Sequence, residues 1–233
     1  MRKAALALSA CALATSGHAL LIDDFDDAFG VGPITESSTT STGLSIDDPA
    51  PAPIPFDVRA AEVDGPADVL GFGESTLEIF PDASVLSFSN NSDVVDSFFV
   101  LEYFQDGSAP VDLTDGGSSS AFIIDLVLSD IDSPDEGLLI IDVVSDSGPM
   151  SGAAAMVSFS EPGSIVVPFA AFDPSISFDD IVLLEFMFIF DDTGAADIAI
   201  DSIATGVPEP STYAAVFGLL FFALTVVRRL RRS

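Results

Sequence analysis

Between Leu20 and Gly206 the sequence holds no cysteine, histidine, lysine or tryptophan, and a single arginine, Arg59. Each absence closes a class of function. Without histidine or cysteine there is no Ser-His-Asp or Cys-His nucleophile pair and no ordinary structural zinc site. Without cysteine the segment cannot rest on disulfides, although export would permit them. One arginine cannot displace the counterions of a phosphate backbone, so no nucleic-acid partner is expected. Anionic lipid and anionic polysaccharide are repelled unless divalent cations bridge the two.

What is present is acid. Of the 37 Asp and Glu in the chain, all but Glu209 fall in this segment, which carries a formal charge of about −35. Such a charge favours solubility and strains the compact state by self-repulsion. It suits a protein that meets cations, neutral sugars or no ligand at all. The same segment holds 17 Phe between Phe25 and Phe190, with abundant Val, Ile and Leu. That is enough apolar surface to bury a core rather than stay disordered, and its length fits one β-domain.

The flanks have the opposite character. Arg2 and Lys3 precede an apolar run, Ala4 to Ala14, and Gly17 and Ala19 put small residues three and one before a cut after Ala19. Residues 1–19 therefore read as a secretory signal, the route of the Sec export machinery. Leu8-Ser-Ala-Cys11 also has the look of a lipobox, but the apolar run continues past Cys11. Ordinary cleavage discards that cysteine with the peptide.

Within residues 20–206, Gly30 to Pro55 is rich in Ser, Thr, Pro and Asp, without period, and reads as a long loop or insert. Elsewhere short apolar or alternating runs recur between turn residues. They are Leu20–Phe25, Phe56–Val63, Val69–Phe72, Ser75–Phe80, Ser84–Ser89, Ser97–Phe104, Ala121–Leu128, Leu138–Val144, Ala154–Ser160, Ser164–Phe169, Ile181–Phe190 and Asp197–Ile203. Leu86 and Phe88 alternate with Val85, Ser87 and Ser89, as in a half-buried strand. Leu138 to Ile141 and Leu183 to Phe190 are apolar on both faces and suit central strands. Before Tyr213 no amphipathic helix of useful length occurs. The pattern predicts an all-β antiparallel β-sandwich or jelly roll.

Carboxylates are the only plentiful reactive groups. A glycosidase needs two of them about 5–10 Å apart with one pKa raised, a test that so many acids pass by number alone. An exported carboxylate-dependent hydrolase is therefore a contrast rather than the expectation; no catalytic residues are assigned, and the domain is expected not to be an enzyme. Calcium suits oxygen ligands on loops. Asp130-Ile-Asp-Ser-Pro-Asp135-Glu136-Gly137 lacks the glycine of a Ca²⁺ loop, and Asp23 or Asp24 meeting Asp201 is the other arrangement that could bind one. No cofactor is required, Ca²⁺ stays open, and metal ligands are unknown. Arg59 is expected to form a bidentate pair with an inward-leaning acid. Asn90-Asn-Ser92 matches a glycosylation tripeptide, a frequent chance occurrence.

The last 27 residues run Val207-Pro208-Glu209-Pro210-Ser211-Thr212, an apolar stretch from Tyr213 to Val227, and a basic end, residues 228–233, with Arg228, Arg229, Arg231 and Arg232. The stretch is short against the ~20 residues that span a bilayer, yet snorkelling arginines permit a single transmembrane helix. The arginines keep the tail in the cytoplasm and the domain outside it. Pro208 and Pro210 hold the hexapeptide extended.

This arrangement resembles the PEP-CTERM sorting signal of Gram-negative bacteria. The resemblance implies processing by an exosortase at Val207 to Thr212, transient anchoring in the inner membrane, and delivery to the cell surface or extracellular matrix. Ile22-Asp-Asp-Phe25, Asp112-Leu-Thr114 before Gly116-Gly117, and Ile198 to Ile203 are similar to segments of domains carried by such proteins, and the opening and closing strands to those of jelly-roll carbohydrate-binding modules. Two functions are thus expected in order: a non-enzymatic surface or matrix protein, and, as the alternative, a module for neutral exopolysaccharide, with Ca²⁺ as an optional partner.

Overall fold

The computed structural model describes residues 19–28, 32–36, 44–50, 54–64, 74–90, 97–131, 137–147, 153–190 and 196–207. Two antiparallel sheets pack face to face as a β-sandwich. The first contains β1 (Leu20–Asp23), β2 (Ile34–Glu36), β5 (Ser75–Phe80), β6 (Val85–Asn90), β8 (Ala121–Asp130), β11 (Gly163–Pro168) and β13 (Asp197–Gly206), ordered β11-β8-β13-β6-β5-β2, with β1 also paired to β13. The second contains β3 (Leu44–Pro49), β4 (Val58–Asp64), β7 (Ser97–Phe104), β9 (Gly137–Ser145), β10 (Ala153–Phe159) and β12 (Ile181–Phe190), ordered β10-β9-β12-β7-β4-β3. Among the described residues the helices are two short 3₁₀ turns, Pro81–Ala83 and Phe169–Ala171.

The alternation read from the sequence becomes the inside and outside of each sheet. Leu86 and Phe88 of β6 are buried, and so are Leu139, Ile141 and Val143 of β9. In β12, Leu184, Phe186, Phe188 and Phe190 point inward while Glu185, Met187 and Ile189 are only half-buried. The inner residues meet as rings. Phe88 stacks on Phe190 at 4.9 Å, and Phe99 stacks on Phe188 at 4.6 Å. Phe122 of the first sheet meets Phe186 of the second edge to face at 5.8 Å. Each such pair adds about 0.5–1.5 kcal/mol to the burial term, so phenylalanine supplies the cross-sheet cement that disulfides do not.

Residues 30–55 are not wholly a loop. They supply β2 and β3, which form an edge of each sheet: β2 pairs with β5, and β3 pairs with β4 from Leu44↔Val63 to Pro49↔Val58. An edge strand needs only one hydrogen-bonded neighbour, and charge and proline are common there. A composition poor in apolar residues therefore concealed it.

Gly137 opens β9 opposite Phe159, and a Cβ there would lie 2.5 Å from the Phe159 carbonyl oxygen. The position is closed to any side chain. At the end of the sandwich the Asp112 carboxylate accepts from the Thr114 N–H at 2.8 Å and from the Gly116 N–H at 2.9 Å. Thr205 donates to the Leu113 carbonyl at 2.9 Å. The Asp112-Leu-Thr114 segment is a self-bonded turn that seats the buried Leu113.

Leu20 of β1 pairs with Thr205 of β13, so the chain enters and leaves the sandwich side by side. The anticipated cut after Ala19 falls directly before β1, and Val207, directly after β13, is exposed. Residues 1–18, the Val69–Phe72 run, Pro208 to Thr212, the apolar stretch 213–227 and Arg228, Arg229, Arg231 and Arg232 lie outside the described residues. Among the described residues no helix is long and apolar enough to cross a membrane.

Candidate functional site

Strand register assembles on the outer face of the second sheet what the sequence leaves scattered. Asp142 of β9 pairs with Glu185 of β12, and Glu185 pairs with Glu102 of β7. The next position in that line is Ala60 of β4, opposite Glu102. In the neighbouring line Ile140, Met187, Val100 and Glu62 follow one another across the same four strands. Three carboxylates thus stand side by side, with Glu62 diagonal to Glu102. Small side chains and an aromatic one complete the surface. An open cleft of about 350 Å³ is lined by Ala60, Glu62, Phe98, Val100, Glu102, Glu185 and Met187.

Like charges directly opposite one another destabilise a sheet. Burial, and then the charges of Glu102, Asp142 and Glu62, push the Glu185 carboxyl above the ordinary glutamate range. A cleft that combines a perturbed acid with apolar walls is where a ligand site is to be sought. The acids form a line instead of a cage: among the described residues no three of them come together as a metal site.

The domain's one base is on the other side of the sheet. Arg59 is buried in the core, where its Nη1 donates to Asp23 Oδ2 at 3.2 Å and its Nη2 to the carbonyls of Asp27 and Ala28 at 3.0 and 3.4 Å. The expected acid partner is therefore present, and the guanidinium also donates to backbone carbonyls. Tyr103 donates to Asp23 at 2.8 Å, and Asp23 accepts from the Phe25 N–H at 2.9 Å. Burial pushes the Asp23 carboxyl up, while the Arg59 charge, the Phe25 N–H and the Tyr103 hydroxyl pull it back. Burial, reinforced by the Asp23 charge, drives the Tyr103 hydroxyl well above its usual value. This network ties β1 to β4 and β7, hence one sheet to the other.

Two candidate sites read from the sequence change character. Asp23 is committed to Arg59 and Tyr103, and Asp201 is exposed on β13, so they do not form a shared oxygen site. Asn90 is buried, donating to Ser97 at 2.8 Å and accepting from the Ala196 N–H, which closes it to a glycan in the folded protein. Of the acid turn 130–136, residues 132–136 are outside the described set. The residues missed by sequence reading are Glu102, Asp142 and Glu185. Their shared sign was visible; their adjacency required the register of three strands.

No family model matches the chain, and no curated protein matches it significantly. Among solved structures it is similar to a family 11 carbohydrate-binding module of cellulase Lic26A-Cel5E of Clostridium thermocellum, at 12% identity and TM-score 0.39, over 83% of this chain and 98% of that one. It is similar to a family 30 carbohydrate-binding module of a cellulase from the same organism, at 8% identity and TM-score 0.36, over 76% and 98%. An exo-beta-agarase is matched at 11% identity and TM-score 0.39, over 83% of this chain and 25% of that one. With identities this low and superpositions this loose, the likenesses bear on neither ligand nor activity. The molecule's own features define an acidic antiparallel β-sandwich with an open, carboxylate-lined cleft on one sheet.

Proposed function

We propose that the domain is a non-catalytic carbohydrate-binding module carried on an exported surface protein. The observation that carries this reading is the cleft. Phe98, Val100 and Met187 offer an apolar floor for the faces of sugar rings, and Glu62, Glu102 and Glu185 offer acceptors for their hydroxyls. Carboxylates accept strongly from such donors. The chain's acidity turns away anionic polysaccharides, so the ligand is a glycan without acidic groups. The leader and the Val207 to Arg232 segment support export, exosortase sorting and a final location at the cell surface or in the matrix.

A second reading has one observation in its favour. Glu102 and Glu185 face each other on neighbouring strands and one has a raised pKa, the pairing a glycosidase uses. Binding is preferred because both acids lie on an open sheet face in a line with a third. Burial of Glu185, together with the charges of that line, explains the raised value without chemistry.

A glycan array probed with the full chain in Ca²⁺ and again in EDTA tests the module reading. Binding that is lost in Phe98→Ala and Met187→Ala is expected, and no binding in either condition overturns it. Glycan turnover abolished by Glu185→Gln would replace binding with hydrolysis.

A further inference from the structure

We infer that two copies of this chain pair edge to edge through β10, continuing the second sheet across a two-fold axis at Met156. The inference is independent of any ligand in the cleft. Three observations point to a second copy.

The first is an open edge. β10 ends the second sheet, and among the described residues β9 is its one strand partner. The unpaired backbone groups of an edge strand are a template for another strand. The three other strands that end the sheet order are blunted. β3 carries Asp47, Asp48 and Pro49, and β2 is three residues long and ends in Glu36. β11 opens at Gly163, with a φ of 138°, and stops at Pro168. β10 reads Ala-Ala-Ala-Met-Val-Ser-Phe, seven residues without charge, proline or glycine.

The second is charge. Carboxylates set directly opposite one another destabilise a sheet, and in a chain with 37 acids against seven bases most strands would bring some. β10 brings none. An uncharged strand also gives a basic partner nothing to pair with, so a copy of β10 itself fits this edge better.

The third is self-complementarity. Antiparallel pairing centred on Met156 sets Met156 opposite its own copy and Ala155 opposite Val157. It also sets Ala154 opposite Ser158 and Ala153 opposite Phe159. The all-alanine half of each strand thus faces the larger half of the other. Met156 is 68% exposed, more than any other large apolar residue described, and residues opposite across an antiparallel pair stand close enough to cover it. It already lies in line with Ile140 and Met187, so pairing joins two apolar lines into one. The axis is perpendicular to the sheet, which puts both clefts on the same side. Both open edges are consumed, so the assembly closes at two copies.

Sedimentation equilibrium of the full chain in density-matched detergent tests this. We expect a reversible dimer whose dissociation constant falls about threefold between roughly 0.05 and 0.5 M salt, because salt screens the repulsion between two acidic copies. Met156→Asp and Met156→Lys each set like charges across the axis and should leave monomers. An equimolar mixture of the two should dimerise again, since Asp then faces Lys. A wild-type chain that stays monomeric overturns the inference, and so does a dimer that salt weakens. A dimer undiminished in both variants, or loss without recovery in the mixture, also overturns it. Where those variants misfold, Met156→Cys in a Cys11→Ser background decides. Oxidation should link it into a disulfide dimer, whereas Val166→Cys, exposed on β11, should stay unlinked. No link at 156, or equal linking at both positions, overturns the inference.

Discussion

Glu185 on β12 lies directly across from Glu102 on β7, and Asp142 on β9 lies directly across from Glu185 on its other side. The central residue of the row therefore carries two like-charged neighbours in register. Bringing them together costs folding free energy, and Glu102 and Glu185 border the cleft in which a ligand is expected.

Glu185→Gln should stabilise the protein at neutral pH. The sign follows from linkage: a carboxyl whose folded pKa is raised binds its proton more tightly in the folded state. Its contribution is then full below the unfolded glutamate pKa and is lost as pH rises through the folded one. Thermal melts should show the variant gaining about 0.2–1 kcal/mol at pH 7 and losing that advantage near pH 4. An unchanged or lower melting temperature at pH 7 contradicts the row's repulsion.

Arg59→Met should be severely destabilising, by about 3–5 kcal/mol, because it strands the buried Asp23 carboxylate. Tyr103→Phe removes one donor to the same carboxylate and should cost about 1–3 kcal/mol. Urea unfolding of the three proteins, ranked wild type, Tyr103→Phe, Arg59→Met, checks both.

Gly137→Ala forces a methyl into the Phe159 carbonyl. A loss of about 1–3 kcal/mol is expected, with amide exchange accelerated along β9 and β10. A neutral effect would mean that this hairpin shifts freely.

Replacing Pro208, Glu209 and Pro210 together by alanine should leave the full-length form in the inner membrane. Fractionation and immunoblotting read this out, and normal processing and release of the variant would remove the sorting proposal.

Much of the fold was legible because burial acts locally on a pleated strand. Leu86 and Phe88, or Leu184 to Phe190, carry their inside-outside pattern in their own spacing. The Ser/Thr/Pro-rich segment was misleading because β2 and β3 are edge strands held through backbone pairing. Arg59 was legible as an ion-pair former from being alone among acids. That its partner is Asp23 followed from β1 and β4 belonging to different sheets that close on one another.

By itself the sequence determined the chemistry available: acid without base, rings without disulfides, and no nucleophile pair in residues 20–206. It also determined the export and sorting expectations, which reside in contiguous residues. Only the tertiary structure decided which acids act together. Glu102, Asp142 and Glu185 lie far apart along the chain and become neighbours through hydrogen-bond register, a long-range property that no local pattern encodes. The cleft, and with it the functional proposal, exists because β4, β7 and β12 align.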